Sequence, residues 1–354
     1  MPQHTVAVTG LNARPDNPGP GLAVVRCLRE AAGFNGRIIG LSYDALDPGM
    51  YLENYCDAVY LLPYPSISSM EYLERLREIH AREQFSYLIP CLDVELPGFS
   101  RAQGILKELG IHTFIPTNEQ LRMRNKDNLE QLGKLAGMQT PRTAVVTRWE
   151  FFQQCEKKHW RFPLVVKGIF YDAKIVDNPR EAEEAFHAIA AQWGFPVIVQ
   201  ELIKGQEYNL TAVGDGRGHL YNPVMMKKLA TTDKGKAWAG VSIEDETLLT
   251  ASNKLAAELK WRGPLEVEVM RDTEGNYFLI EINPRFPAWI YLSVGTGGNL
   301  PMNLLQLMSD TAVATVAAQT GKLYIRYATE TIASISQFES LVVDGGMAFD
   351  RRNI

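Results

Sequence analysis

The segment from residue 263 to residue 285, GPLEVEVMRDTEGNYFLIEINPR, combines several acidic residues with strand-like alternation. Apolar and charged residues alternate in its first arm, which predicts a half-buried strand from Leu265 to Arg271. A turn of Asp, Thr, Glu, Gly and Asn follows, and the return strand is predicted from Tyr277 to Ile282. When the two arms pair, Glu268 and Glu281 can face the same cleft.

Two carboxylates and one amide of this hairpin match the ligands that Mg²⁺ prefers. Asn283 lies one same-face step beyond Glu281, and Glu268 comes from the other arm. Magnesium is usually held by one or two carboxylates while phosphates and water complete its octahedron. Pro284 ends the strand, and Arg285 supplies a fixed positive charge suited to a phosphoryl group or an oxyanion. The alternative is a surface hairpin with solvated glutamates, but the Glu-x-Asn-Pro-Arg run favours a metal and nucleotide site.

Length and charge limit the classes of protein to consider. A chain of 354 residues is expected to form two or three domains. The 36 Lys and Arg residues against 41 Asp and Glu residues leave a net charge of −5, which argues against a nucleic acid or an anionic membrane as the main partner.

The cysteines and the first residues indicate the compartment. Four widely spaced cysteines form no Cys-x-x-Cys motif, which predicts a reducing compartment and no structural zinc. The first four residues lead directly into a strand, and no apolar run reaches membrane-spanning length. We therefore expect a cytoplasmic protein.

The first third of the chain has the pattern of a doubly wound α/β sheet. A strand from Thr5 to Thr9, a helix from about Leu22 to Ala32 and a strand from Arg37 to Leu41 predict a βαβ opening. The glycines after the first strand do not spell G-x-G-x-x-G, so NAD binding is disfavoured. Later elements are predicted as strands at 57–62, 87–90 and 113–115 and as a helix at 69–83.

Polar groups follow the strand at 87–90. Asp93 and Glu95 lie just past its carboxyl end, where ligands bind in parallel sheets. They either orient an amino substrate or cap the next helix.

The middle of the chain is predicted to contain a helix from Thr117 to Gly137, a strand from Phe162 to Lys167, a helix from Pro179 to Trp193 and a strand from Val197 to Leu202. A lysine at the end of an apolar strand is costly to bury unless an anion pairs with it. Lys167 is therefore a candidate for binding an anionic ligand.

These motifs resemble the ATP-grasp superfamily, on the branch that contains the carbamoyl-phosphate synthetase large subunit and biotin carboxylase. The resemblance covers the chain from about Thr5 to Met308 and is most specific at the central hairpin, at Lys167 and at the segment after Val197. It implies a Rossmann-like N-terminal domain followed by an ATP-grasp module of two α+β subdomains that clamp the nucleotide. The implied segments are 1–116 (Rossmann-like), 117–203 (opening helix and small lid subdomain), 204–312 (core with the metal-binding hairpin) and 313–354 (tail strands).

The resemblance also implies roles for individual residues around ATP and Mg²⁺, with Mn²⁺ as an alternative ion. Lys126 and Lys167 would contact the phosphates, and Glu207 would accept the ribose hydroxyls. Glu201, with the backbones of Leu202 and Ile203, would border the adenine. Read without the resemblance, Lys126 is a helix-surface lysine and Glu207 a surface ion-pair partner.

Two loops depart from the pattern or extend it. Most relatives have a glycine-rich flap where this chain has Gly168 to Lys174, so Lys174 is predicted to supply charge in place of backbone amides. The basic stretch from Met226 to Gly240 matches a loop that crosses the active site in relatives. In this stretch Lys227 is a candidate for binding the nucleotide. Lys236 is a candidate for catalysis, together with Arg285 of the central hairpin. Lys228 and Lys234 are further candidates.

The end of the chain is less informative. Trp289 and Tyr291 either line an acceptor pocket or are core aromatics. The runs KLYIRYA and LVV between Lys322 and Val343 predict strands.

The resemblance implies an ATP-dependent carboxylate–amine ligase. Such an enzyme activates a carboxylate as an acyl phosphate and forms an amide or peptide bond with release of ADP and phosphate. The expected substrates are small molecules, amino acids or peptides, and the resemblance leaves room for a homodimer. The alternatives are an enzyme like carbamoyl-phosphate synthetase or biotin carboxylase, and a nucleotide-binding regulatory protein without turnover.

Overall fold

The computed structural model describes residues 4–65, 69–168 and 173–349, and the chain divides into two compact units. The first unit contains Met1–Arg122, Asn209–Glu266 and Ile282–Ile354, and the second contains Met123–Tyr208 and Val267–Glu281. This division is coarser than the four predicted segments, whose bounds stay a prediction.

A five-stranded sheet of the first unit contains the N-terminal strands. Its strands are β1 (Thr5–Thr9), β2 (Arg37–Ser42), β3 (Ala58–Leu61), β4 (Tyr87–Ile89) and β15 (Gly346–Ala348). They lie in the order β15-β3-β2-β1-β4, with β1 to β4 parallel and β15 antiparallel to β3. The predicted strand at 113–115 is wrong, because the chain there makes only an isolated bridge between His112 and Tyr87.

Both faces of this sheet are buried. Val6 and Val8 belong to one apolar cluster, whereas Ala7 between them belongs to another. Residues that alternate along a strand point to opposite faces, so each cluster covers one face of the sheet. The helices that follow these strands are α1 (Gly21–Arg29), α2 (Ser69–Glu83), α3 (Leu96–Arg101) and α4 (Gln103–Glu108). The predicted bounds of β1 and α2 are confirmed to the residue.

A six-stranded sheet contains the central hairpin. Its strands are β9 (Gly205–Asp215), β10 (Leu220–Thr231), β11 (Ala237–Ile243), β12 (Arg262–Asp272), β13 (Tyr277–Asn283) and β14 (Leu323–Ile325), in the order β13-β12-β9-β10-β11-β14. The predicted pairing of the two arms is thus confirmed, and the first arm is longer than predicted. Gly275 in the turn between them has φ +91°, a value that glycine adopts without strain.

The basic stretch from Met226 to Gly240 is not a loop. It forms the end of β10, a short turn and the start of β11, and the N–H of Thr232 donates to the Lys236 carbonyl at 2.8 Å. Residues 226–228 of β10 pair antiparallel with residues 240–242 of β11. Lys227 therefore lies on a strand, and Lys236 lies in the turn.

A four-stranded antiparallel sheet belongs to the second unit. Its strands are β5 (Thr143–Val146), β6 (Leu164–Lys167), β7 (Ala173–Val176) and β8 (Val197–Glu201), in the order β5-β8-β6-β7. Two further helices pack there, α7 (Phe151–Gln154) and α8 (Pro179–Trp193), the second as predicted. Lys174, predicted in a loop, is an exposed residue of β7. Residues 169–172 of the predicted flap lie outside the described residues.

The helix predicted from Thr117 to Gly137 is interrupted. It consists of α5 (Asn118–Met123) and α6 (Leu129–Ala136), and a single 3-10 turn, Lys126–Asn128, lies between them. Asn125 has an extended backbone with ψ 148°. The polar run from Arg124 to Asn128 has no apolar face to pack, and Asn and Asp side chains compete with helical hydrogen bonds. Lys126 therefore begins a short turn rather than lying inside a helix.

The remaining helices are α9 (Glu246–Leu259), α10 (Leu292–Gly295), α11 (Leu300–Met308) and α12 (Ile335–Val343). The LVV run predicted as a strand is the end of α12, because Ser334 and Gln337 form a capping box that begins a helix. Across 4–65, 69–168 and 173–349, no helix is long and apolar enough to cross a membrane.

Candidate functional site

Lys167 ends β6 in the second unit and lies among other charged side chains. Its Nζ donates to Gln200 Oε1 at 2.6 Å, and the residue is half-buried. Burial, together with the positive charge of Lys126, lowers the pKa of Lys167 to about 8, although Glu281, Glu268 and Glu207 oppose this change. A lysine with this pKa is poised to bind an anion, since a nearby anion would favour its charged form.

Lys126 lies at the first residue of the 3-10 turn and pairs with the central hairpin. Its Nζ is 3.6 Å from Glu281 Oε1, and the two side chains are 17% and 28% exposed. At this distance the two groups form an ion pair without a direct hydrogen bond. The Glu281 carboxylate therefore keeps capacity for a cation.

Five of the predicted site residues thus belong to one electrostatic cluster within the second unit. The cluster contains two lysines and three glutamates, namely Lys126, Lys167, Glu207, Glu268 and Glu281. Cations that can bind phosphates lie near carboxylates that can bind a metal ion or sugar hydroxyls.

The predicted adenine segment lies at the end of β8, the strand that pairs with β6, which carries Lys167. Glu201 is the last residue of β8; its N–H donates to the Arg142 carbonyl at 3.0 Å, and its Oε2 accepts from the Arg142 N–H at 3.4 Å. Leu202 and Ile203 lie beyond the strand and are half-buried.

Arg285 and Asp93 form an ion pair in the first unit. Arg285 Nε donates to Asp93 Oδ2 at 2.6 Å, and the two side chains are 12% and 21% exposed. Its Nη1 donates to the Phe286 carbonyl at 3.1 Å, and its Nη2 is 3.4 Å from Asn283 Oδ1. Arg285 is therefore held in a fixed position next to Asn283. Its partner Asp93 is a residue for which the sequence left two roles open.

Glu266 is a buried carboxylate to which the sequence assigned no role. It accepts hydrogen bonds from Asn209 Nδ2 (3.0 Å), Asn283 Nδ2 (3.0 Å) and Trp289 Nε1 (2.6 Å), all in the first unit. The period-2 pattern of β12 places Glu266 on the same face as Glu268. This alternation is the feature of the sequence from which a role for Glu266 could have been predicted.

The two aromatic candidates for an acceptor pocket, Trp289 and Tyr291, have polar partners. Trp289 is buried and bonds Glu266, whereas the Tyr291 hydroxyl donates to Glu30 at 2.5 Å and the Arg26 guanidinium lies 3.7 Å from its ring centroid. Trp289 is thus a core aromatic with a polar contact.

The candidate lysines of the β10–β11 hairpin also belong to the first unit. Lys227 is half-buried on β10, and the Lys236 N–H donates to Thr232 Oγ1 at 3.2 Å. Lys228 is buried, with its Nζ 3.4 Å from the Gly235 carbonyl, and Lys234 is exposed.

Glu95 does not cap the helix that follows it. It stands at the N-cap position of α3, yet its side chain makes no capping bond. Its Oε2 accepts from Thr9 Oγ1 (2.6 Å) and the Leu92 N–H (3.1 Å), and its Oε1 accepts from the Tyr43 hydroxyl. Burial raises the pKa of Glu95 to about 7 despite these hydrogen bonds. The Glu95 carboxylate thus accepts hydrogen bonds from residues at or just beyond the carboxyl ends of β1, β2 and β4.

We expect Glu95 to make the stability of the first unit depend on pH. Its pKa in the folded chain lies above the ordinary value of 4.5, so its contribution is full below pH 4.5 and is lost as pH rises through 7. The difference corresponds to about 3 kcal/mol. Glu95→Gln should remove this dependence, measured as the free energy of unfolding at pH 5 and pH 8. Glu119→Gln, at an exposed position, should retain it; an unchanged pH profile in Glu95→Gln would contradict the assignment.

The donor set suits the predicted ion. Among 4–65, 69–168 and 173–349 no group of three or more His, Cys, Asp or Glu side chains could hold a metal ion. The predicted Mg²⁺ ligands are not such a group, because they comprise only two carboxylates, those of Glu268 and Glu281, and the amide of Asn283. Oxygen donors of this kind fit a hard cation that keeps water and phosphate ligands.

Comparison with known sequences gives a family match and several curated relatives. Residues 195–331 match a family model described as ATP-grasp in the biosynthetic pathway with Ter operon. A D-alanine–D-alanine ligase from Stutzerimonas stutzeri (strain A1501) is 28% identical over 195 residues, which are 51% of this chain and 62% of the relative. The chain therefore spans less than two thirds of the length of this curated relative.

Comparison with solved structures gives matches over most of the chain. An L-amino acid ligase from Bacillus licheniformis matches with a TM-score of 0.64 at 17% identity, covering 86% of this chain and 74% of that one. A biotin carboxylase from Campylobacter jejuni matches with a TM-score of 0.68 at 15% identity, covering 90% and 74%. These matches confirm a mixed α/β fold of the ATP-grasp kind, and with the sequence matches they confirm the resemblance.

Proposed function

We propose that this chain, which carries an ATP-grasp domain, is an ATP-dependent carboxylate–amine ligase. The carboxylate of one substrate takes the γ-phosphoryl group of ATP and becomes an acyl phosphate. An amine then attacks the acyl carbon, phosphate leaves, and an amide or peptide bond forms. The similarity to D-alanine–D-alanine ligase and L-amino acid ligase supports this class of reaction.

The observation that carries the proposal is the electrostatic cluster of the second unit. Phosphoryl transfer to a carboxylate brings two anions together, so catalysis depends mainly on positioning and on neutralising charge. Lys167, with a pKa of about 8, lies among Lys126 and three glutamates, and this combination can bind a nucleotide with a divalent cation. The reaction needs no nucleophile from the protein.

We assign the residues as follows. Lys126, Lys167, Lys174 and Lys227 bind phosphate oxygens; Glu201, Leu202 and Ile203 border the adenine; Glu207 binds the ribose. Glu268, Glu281 and Asn283 hold Mg²⁺, which when bound neutralises charge on the phosphates. Arg285, fixed by Asp93, and Lys236 stabilise the transferring phosphoryl group and the oxyanion.

The proposal extends to the N-terminal segment, a Rossmann-like domain, as its parallel strands β1 to β4 support. Its carboxyl edge, with Asp93 next to Arg285, would face the substrate to be activated. We further propose that the acceptors are small molecules, amino acids or peptides, and that the enzyme acts as a homodimer.

ADP release in the presence of Mg-ATP tests the proposed function. Amino acids, dipeptides and small acids are offered singly and in pairs, with bicarbonate and ammonia as separate additions. We expect release that requires one acid and rises with one amine. Release that depends on bicarbonate would replace the ligase with a carboxylase-like or carbamoyl-phosphate-synthetase-like reaction. Nucleotide binding without release under any addition would favour the regulatory alternative.

A further inference from the structure

The Glu266 carboxylate is buried and accepts hydrogen bonds from three side chains. It is 4% exposed; Oε1 accepts from Asn209 Nδ2 at 3.0 Å and from Trp289 Nε1 at 2.6 Å, and Oε2 accepts from Asn283 Nδ2 at 3.0 Å. An indole N–H can only donate, so the bond from Trp289 cannot be reversed. The hydrogen bond between Trp289 and Glu266 therefore always has Glu266 as its acceptor.

Glu266 determines which end of the Asn283 amide faces it. An ionised carboxylate only accepts, so Asn283 must turn its NH₂ group toward Glu266 and its carbonyl oxygen away. The Oδ1 atom then lies 3.4 Å from Arg285 Nη2. A magnesium ion binds the oxygen of an amide and not its NH₂ group. The orientation seen is the one that a metal ligand needs.

We propose that Glu266 is a positioning residue that holds the Asn283 amide with its oxygen toward the metal ion. The inference rests on the proposed function, which includes Asn283 among the Mg²⁺ ligands. Glu266 itself does not bind the ion in this assignment. It acts through the direction of one hydrogen bond.

The hydrogen bond from Asn209 is independent evidence that Glu266 acts as an acceptor toward the amides around it. Its Nδ2 donates to Glu266, while its own Oδ1 is buried without a hydrogen-bond partner in the described part of the chain. Turning the amide over would move its oxygen against the carboxylate. The network therefore leaves one buried oxygen unbonded and keeps the donor on Glu266, as expected when a carboxylate charge dominates the local hydrogen bonds.

An isosteric change should reverse the Asn283 amide. In Glu266→Gln, the new amide must keep its oxygen toward Trp289 and Asn209, because both donate, and it must present its NH₂ group to Asn283. Asn283 then turns its oxygen toward residue 266 and its NH₂ group toward the metal ion. We expect Glu266→Gln to weaken metal binding by about tenfold or more, which is also the loss expected for Asn283→Ala.

A second change should restore binding without restoring the glutamate. In the double variant Glu266→Gln/Asn283→Asp, the aspartate accepts the glutamine NH₂ group with one oxygen and keeps the other for the metal ion. The total charge of the pair is that of the wild type. We expect the double variant to bind the metal within about threefold of the wild type.

The experiment measures Mn²⁺ binding by electron paramagnetic resonance in the presence of ADP. It compares the wild type, Asn283→Ala, Glu266→Gln and the double variant, with Glu258→Gln on the exposed face of α9 as the control. Circular dichroism verifies that each variant is folded. Loss of binding in Glu266→Gln with recovery in the double variant supports the inference. Wild-type binding in Glu266→Gln, or loss in both variants while folded, overturns it.

Two further results separate the inference from the proposed function. If the wild type does not bind Mn²⁺, or if Asn283→Ala binds it as the wild type does, the proposed metal ligands are wrong. If Glu266→Gln does not fold, nuclear magnetic resonance of the wild type with Mg²⁺ and ADP decides. The Asn283 NH₂ hydrogens, assigned by their loss in Asn283→Ala, should exchange slowly with water, whereas rapid exchange overturns the inference.

Discussion

Glu281→Gln is expected to lower ADP release with Mg-ATP by about a hundredfold or more. The change removes one of the two carboxylate charges assigned to Mg²⁺ and leaves Lys126, 3.6 Å away, without that counter-charge. Glutamine has the same shape, and Glu281 lies half-buried on β13, so the hairpin should keep its fold. The effect should therefore appear in turnover and metal affinity and not in the melting temperature.

The matched control lies on the same hairpin. Glu274 is exposed in the turn between β12 and β13, and Glu274→Gln should release ADP at the wild-type rate. Both variants are assayed at saturating ATP over a range of Mg²⁺ concentrations. Full activity of Glu281→Gln at all of them would remove the central hairpin from its assigned role.

Lys167→Ala should weaken ATP binding by about ten- to a hundredfold and acceptor binding much less. Lys167 ends β6 among the charges of the second unit, and a phosphate would gain a charge-assisted hydrogen bond from its Nζ. Lys157→Ala, at an exposed position of the same unit, is the control. Calorimetric titration with ATP and steady-state titration with the acceptor separate the two affinities. An equal effect on both would show that the lysine is misassigned.

The pH dependence of ATP binding follows from the same lysine. Without nucleotide, the pKa of Lys167 is about 8, so the side chain loses its charge as the pH rises above 8. A bound phosphate would raise this pKa, and binding above pH 8 would therefore take up a proton. We expect ATP affinity in the wild type to fall between pH 7 and pH 9, whereas Lys167→Ala should lack this component.

Local patterns in the sequence predicted local elements well. The bounds of α2 and α8 follow from their periodicity, and the central hairpin follows from its alternation and its turn. The errors fell where two signals compete. The apolar LVV run is typical of a strand, but the capping box at Ser334 begins a helix that includes it.

The residues of the candidate site also fall into a group that the sequence predicted and a group that it did not. A resemblance in motifs was enough to select Lys126, Lys167, Glu207 and the hairpin glutamates, which share one electrostatic cluster. The partners of these motifs were not predictable, because they come from distant parts of the chain. Asp93 and Arg285 are 192 positions apart, and Asn209 lies 57 positions from Glu266. Such pairs depend on packing that no local pattern records.

The pairing of β15 with β3 has a consequence for the order of events during synthesis. β1 to β4 leave the ribosome early, yet the outer edge of β3 receives its neighbour only when residues 346–348 emerge. Until then the backbone groups of β3 on that side are open, and an open strand edge recruits other chains. The Leu61 N–H and the Arg75 guanidinium, which both bond the Gly345 carbonyl when folding is complete, also wait for that segment. During that interval the open edge of β3 is a place at which nascent chains of this protein can associate with one another.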